Sequence, residues 1–304
     1  MLQPPAMKTA LLLLPDFALI VLGWWLSRRH FPERDFWSGV ERLVYQVLFP
    51  ALLFTSIAQA NLKTPGVTGA VAVAVGATLV GVALAYLVTR MRLGPMLTAV
   101  SCAQCAYRFN SYIALALSAR MFGEQGLAIT ALITAVVVPV ANFFAVAMLA
   151  RGAGRNLMRE LMRNPLILAT LGGLVFNLLG GDLPEPVWTV LKRLGAASLA
   201  LGLIVVGTGL KFSAVQHRAL IGAILSIKHI AMPLTAAGLA LAAGLTGTAQ
   251  GVAIMFAAFP TASSAYILAA RMGGDAESVA ATVSLSTLIG MLTLPFWVAL
   301  LGTP

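Results

Sequence analysis

Acidic side chains are scarce in this chain. Of 304 residues only 10 are Asp or Glu, against 20 Lys or Arg, and charged residues make up 10% of the whole. A soluble domain carries about 25%, so no soluble domain is expected between the apolar runs; the longest polar connections are 27–41 and 151–164. The two cysteines, Cys102 and Cys105, form a CxxC inside an apolar segment with no further cysteine or flanking histidine. That isolation argues against zinc or thioredoxin-type chemistry and for small thiols that simply pack. No nucleotide motif, phosphate loop or nucleophile–base constellation is present, so neither an enzyme nor a cofactor or metal site is expected. The first apolar run passes into a basic loop with no small-residue cleavage site, so no cleavable signal peptide is expected.

What is present is hydrocarbon. The chain is 60% hydrophobic with a mean hydropathy of +0.92, and apolar runs recur that are long enough to cross roughly 30 Å of lipid. These features predict an all-α polytopic membrane protein with ten spans, at about 7–26, 39–59, 68–89, 95–121, 126–149, 164–179, 187–210, 220–245, 250–272 and 277–301. The net charge of +10 does not point to nucleic acid, because the basic residues sit in short loops rather than on one face. With the N-terminus outside, the inner loops hold Arg28, Arg29, Arg34, Arg42, Arg90, Arg92, Arg151, Arg155, Arg159, Arg163, Lys211, Arg218 and Arg271, and the outer segments only Lys8, Lys63 and Arg120. Such asymmetry orients a membrane protein and predicts both termini on the outer face of the cell (inner or plasma) membrane.

One stretch organises the rest. Residues 256–281 interrupt an apolar run with Phe259-Pro260-Thr261 and then Ser263-Ser264. Proline removes a backbone donor and clashes with the preceding turn, and freed backbone at membrane depth is tolerated only beside protein or a water-filled cavity. A broken helix there marks a transport site, the alternative being a packed proline kink. Its partner is found by self-similarity: Ala119-Arg120-Met121-Phe122-Gly123-Glu124 returns as Ala270-Arg271-Met272-Gly273-Gly274-Asp275, 151 residues on (270 − 119). Five spans per unit is an odd number, so the second copy inserts inverted. The expected division is therefore 1–150 and 151–304, with spans four and nine as symmetry mates.

Span four carries Gln104, Arg108, Asn110, Ser111 and Tyr112 among apolar neighbours. Arg108 stands near mid-depth, where a charge costs several kcal/mol unless paired or wetted. It is read either as a structural cation, paired for instance with Asp16, or as the fork that grips a carboxylate substrate; half-helix N-termini at a crossing favour anions as well. Asp16 stays open between proton coupling and pairing with a base. Lys228, eight residues into span eight, is read as snorkelling to the inner interface in preference to a second anion contact. Asn142 and Asn177 are read as amides that glue helices.

Three segments carry a family resemblance: NPLILATLGGLVFNLL (164–179), RFNSYIALALSARMFGEQG (108–126) and the closing run from FPTASSAYILAARMGGDAES onward (259–301). They resemble the auxin efflux carrier family, whose wider fold is shared with bile-acid/sodium symporters. The resemblance covers essentially the whole chain. It implies ten helices in two inverted repeats, with helices four and nine broken and crossing at the substrate site, and bacterial members handle malonate or other organic acids. Where the family has Gly-Leu-Pro after the asparagine, this chain has Ala114-Leu115-Ala116, so the break in helix four is expected at 108–112 or to be weaker.

The expectation is a secondary transporter for a small organic anion, a mono- or dicarboxylate, working by alternating access. Its substrate-binding candidates are Arg108, Asn110, Ser111, Tyr112, Pro260, Thr261, Ser263, Ser264 and Tyr266, with Asp16, Gln104 and Lys228 in coupling or supporting positions. Its partners are the substrate and the bilayer; a homodimer is left open. The alternatives are a sodium-coupled bile-acid-like symporter and a channel or receptor without turnover.

Overall fold

The computed structural model describes residues 5–59, 66–149, 165–210, 216–262 and 264–300, and every regular element among them is helical. In lipid a helix satisfies its own backbone donors and acceptors, which an open strand does not. The helices are α1 (Pro5–Arg29), α2 (Arg34–Ala58), α3 (Val67–Arg90), α4 (Met96–Ala103), α5 (Ser111–Leu149), α6 (Pro165–Leu178), α7 (Glu185–Thr208), α8 (Arg218–Ala242), α9 (Gly247–Ala258), α10 (Ser264–Arg271) and α11 (Ala276–Leu300). Six stretches among the described residues are long and apolar enough to cross a membrane: α2, α3, the α4–α5 run, α7, α8 and residues 276–298 of α11. Within α6 and α9 the apolar stretches are shorter. Although drawn as one helix, α5 bends at Gly123, whose φ of 62° only glycine adopts freely, giving arms 111–122 and 124–149.

Proline shapes two of the long rods. Each has a π turn just before a proline: Val44–Leu48 before Pro50 in α2, and Ile227–Ala231 before Pro233 in α8. Proline cannot donate to the carbonyl four residues back and its ring crowds that oxygen, and a local widening to π geometry relieves the crowding. In α8 the carbonyl deprived of its donor is that of His229. Trp297 of α11 supplies the missing N–H at 3.1 Å.

Small residues let the rods close on one another. α1 packs on α7 through Gly23 and Gly207, where a Cβ would run into the carbonyls of Ile204 and Ile20 respectively. α2 packs on α6 and α7, while α3, α8 and α9 pack together, with α3 and α9 also against α5. Asn177 Nδ2 donates to the carbonyls of Ile57 and Ala58, at 3.0 and 2.9 Å, so it ties α6 to the last turn of α2 as the sequence suggests.

The loop before α11 is pinned to α4. Thr98 donates to Asp275 Oδ2 at 2.7 Å, Asp275 N–H donates to Ser101 Oγ at 2.9 Å, and Ser278 N–H donates to Asp275 Oδ1 at 3.0 Å. Partial burial pushes the Asp275 carboxyl up, but these hydrogen bonds and the nearby His217 outweigh it and hold it below its ordinary value of 3.8.

Two outcomes follow from this packing. Gly207→Ala lowers stability by about 1–3 kcal/mol, the usual cost of overpacking, read as a fall in Tm in detergent, whereas Gly222→Ala, which meets open space, does not. The depressed carboxyl of Asp275 contributes stability above pH 3.8 that is lost as pH falls through its lower folded value. Asp275→Asn therefore flattens the acid side of the Tm profile; a mutant profile parallel to the parent's overturns the assignment.

Candidate functional site

Both interruptions foreseen from the sequence are present. After α4 the chain makes a 3-10 turn at Gln104–Ala106 and then leaves helical geometry for residues 107–110 before α5 begins at Ser111. The break opens earlier than the 108–112 expected. It needs no proline, because Asn110 caps the new helix: its Oδ1 accepts the N–H groups of Tyr112 and Ile113 at 3.0 and 3.3 Å. After α9, Phe259 is extended (φ −60°, ψ 142°) and residues 259–262 run non-helically before α10. Gly290 of α11 makes room for the ring of Pro260, which lies 3.2 Å from where a Cβ would stand.

The two breaks touch. Asn110 N–H donates to the carbonyl of Pro260 at 2.8 Å, and Gln104 Nε2 donates to the carbonyl of Ala265 at 3.3 Å. Phe109 meets Phe256 edge-on at 4.5 Å between centroids. Arg108 reaches across them: Nη1 donates to Gln104 Oε1 at 2.9 Å and Nη2 to Ser264 Oγ at 3.0 Å. Arg108 is 8% exposed, yet both its partners are neutral and no carboxylate among the described residues pairs with it. Ser264 itself is exposed, so the guanidinium sits one side chain from the surface of the protein.

Most of the sequence-chosen residues lie at this crossing. Arg108, Asn110 and Gln104 are buried, as are Pro260 and Thr261; Ser111, Tyr112 and Tyr266 are half-buried at the helix starts. Thr261 N–H donates to Ser286 Oγ at 3.0 Å, while its hydroxyl is buried without a well-formed hydrogen bond, with only the Cys105 thiol beside it. Tyr112 turns away from the crossing, stacking on Phe49 of α2 at 4.8 Å and 3° and lying within 3.6 Å of a Cβ built on Gly202 of α7. Ser263 lies outside the described residues, and for Asp16 only the backbone, within α1, is described. Lys228 does not snorkel: it is fully buried in the π turn of α8, and its Nζ has no hydrogen-bond partner among the described residues. A run of hydropathy gives depth but not rotation, which is why the snorkelling reading fails.

Several residues in these surroundings were not singled out from the sequence. Ser286 Oγ lies 2.9 Å from His229 Nε2, and Thr293 Oγ1 lies 3.3 Å from His229 Nδ1, so a polar chain runs from the break after α9 through α11 into α8. Glu41 and Tyr45 of α2 stand close enough to act electrostatically on Tyr112. A cavity of about 520 Å³ opens elsewhere, between α2, the second arm of α5 and α7; its polar lining includes Thr55, Gln59, Glu124, Gln125 and Lys192, and no crossing residue. Its apolar wall (Leu52, Leu127, Ala128) belongs to the same cluster as Phe49 and Tyr112.

The chain matches the family described as membrane transport protein over residues 10–298. It is 27% identical over 293 residues to an "Uncharacterized transporter" of Methanothermobacter thermautotrophicus, covering 92% of this chain and 94% of the relative. It is 24% identical over 307 residues to a "Putative malonate transporter" of Rhizobium meliloti, covering 93% and 92% respectively.

Removing the cap should loosen the crossing. Asn110→Ala costs about 1 kcal/mol of stability, measured as a lower Tm, and Asn110→Ser, which can still cap, recovers most of it; equal losses in both variants overturn the capping role.

Proposed function

Because the chain belongs to the membrane transport protein family, we propose that it is a secondary carrier that moves a small organic anion by alternating access at the crossing of its two broken helices. It is a multi-pass membrane transporter and not an enzyme. The observation that carries the anion reading is Arg108. A largely buried guanidinium whose hydrogen-bond partners among the described residues are the neutral Gln104 and Ser264 keeps most of its desolvation penalty, several kcal/mol per buried ion. A carboxylate substrate is the counter-charge that removes the penalty, and the fork of donors suits it geometrically. The first turns of α5 and α10 begin beside the guanidinium and add their positive dipole ends.

The ten-helix, inverted-repeat arrangement, divided at 150/151, is part of the same proposal. It is supported by a single offset of 151 residues (218 − 67) that relates the start of α3 to that of α8 and recurs at two more helix starts. Arg34, Val67 and Met96, which open α2, α3 and α4, map onto Glu185, Arg218 and Gly247, which open α7, α8 and α9. The second arm of α5 maps onto α11, and both copies of the repeated hexapeptide lie at turns with a positive-φ glycine, Gly123 and Gly273. Five spans per unit invert the second copy, placing both termini on the outer face. Spans three to five and eight to ten then form the crossover bundle, which rocks or slides against α1, α2, α6 and α7.

Malonate is the first substrate to try, in view of the name given to the Rhizobium relative, alongside succinate and acetate. In a thermal-shift screen at least one acid raises the Tm of the parent, and Arg108→Ala abolishes that rise; an undiminished rise makes Arg108 structural. In proteoliposomes the same acid shows counterflow, with several-fold trans-stimulation, whereas a channel shows none. Comparing uptake with and without a sodium gradient separates this carrier from a sodium-coupled symporter.

A further inference from the structure

We propose that Lys228 is a proton site loaded together with the substrate: its amine is neutral in the empty carrier and takes a proton from water when an anion enters the crossing. This rests on the anion-carrier reading above. Lys228 is 0% exposed and its Nζ has no hydrogen-bond partner among the described residues. An ammonium in that setting has lost water's three acceptors and gained nothing, which the free amine avoids. The structure also gives the position. The π turn Ile227–Ala231 packs on the 3-10 turn Gln104–Ala106 and on α9, the two segments that lead into the breaks. Lys228 lies one turn before Met232 on α8, and Met232 Sδ and Tyr107 Cβ converge on Gly81 of α3, at the break after α4.

The neighbouring elements offer no built-in counter-charge. α9 contains no titratable side chain, and α3 brings only Tyr86 and Arg90, both exposed. The 3-10 turn brings the buried Cys105 thiol, with the buried phenol of Tyr107 and the Arg108 guanidinium following it. α11 brings Glu277, exposed and nine residues before Ser286, roughly 13 Å further along the helix. α8 itself brings Arg218 at its start and His229, whose ring is engaged by Ser286 and Thr293. Arg108 is the cation that follows the 3-10 turn on which the π turn packs, and its charge further disfavours an empty, protonated lysine. A dianion on Arg108 reverses that field, and the lysine lone pair accepts a proton to become an ammonium. One proton then crosses with each dianion, and no oxidant or second reactant is needed.

The test is titration calorimetry of the purified full-length chain with malonate, succinate and acetate, in two buffers of different ionisation enthalpy near pH 7. The parent takes up about one proton per malonate or succinate bound, the linkage expected of a single site charged on binding, and markedly less with acetate, whose single charge only neutralises Arg108. Lys228→Met, close in length and apolar, still binds but with proton uptake abolished. Lys228→Arg, which is charged throughout, likewise binds without uptake. Binding by the parent with no proton uptake, or uptake in Lys228→Met equal to the parent's, overturns the proposal. Loss of binding in Arg108→Ala together with unchanged uptake in Lys228→Met sinks this inference and leaves the anion reading standing. If none of the three acids binds the parent, both fall.

Discussion

Backbone that leaves a helix inside hydrocarbon must find partners in protein, and the whole centre of this molecule is arranged around that demand. Two chain segments leave their helices, residues 107–110 and 259–262, and they meet the demand partly with their own flanking turns and partly with each other. The N–H of Asn110 takes the carbonyl of Pro260, and the Gln104 amide takes the carbonyl of Ala265. Asn110 then turns its side chain to the first N–H groups of α5, and Ser286 covers the N–H of Thr261. Neither break is satisfied alone. The crossing is therefore a joint that holds only while both halves are present, which is the kind of element that a packed membrane protein can shift as a unit.

The same economy extends outward. The proline of α8 leaves the His229 carbonyl without its helical donor, and the indole of Trp297 restores it, while the imidazole of the same residue joins Ser286 and Thr293. A helix defect thus becomes the place where α8 and α11 are fastened, directly behind the break after α9. At the other end of α11, the Asp275 turn is fastened to α4 by Thr98 and Ser101. The segments around the two breaks are in this way tied to one another, while the contact of Tyr112 with α2 and α7 is of another kind: the stacked Phe49–Tyr112 pair and the glycine at 202. Flat rings and a bare backbone resist sliding less than a hydrogen-bond network does, so on the carrier reading proposed above this contact is the smoother seam.

Much of this was legible because composition and period act locally. Phe259-Pro260-Thr261 announces a break from its own chemistry, and the repeated hexapeptide at 119–124 and 270–275 announces the pairing. Asn110 was legible as a polar interruption, though its capping role requires knowing which residue starts the next helix. What was not legible depends on rotation about a helix axis or on contacts between distant residues. Lys228 and a snorkelling lysine have the same sequence neighbours; only the packing of α8 against α3, α9 and α11 distinguishes them. His229 meets Ser286 across 57 residues and Thr98 meets Asp275 across 177, separations over which hydrophobic periodicity carries no information. Glu41 was passed over for a related reason, since it lies near the edge of an apolar run that the actual helix extends back to Arg34.

On the carrier reading proposed above, charge balance decides what the crossing can carry cheaply. Moving a site through the low-dielectric part of a carrier costs least when the site is electrically neutral, because the self-energy of an ion rises steeply as its water is removed. Arg108 alone gives the empty site a charge of +1. A monoanion bound to it yields a neutral complex, and a dianion yields −1, which reintroduces the penalty with the opposite sign. A protonated Lys228 cancels that remaining charge. The pairing of one permanent and one conditional cation therefore makes a dianion with one proton the best-balanced cargo, and it gives the empty carrier only a single charge to return with. On this account the order of events is fixed by electrostatics: the anion must arrive before the lysine can hold its proton, and the proton must leave once the anion has gone.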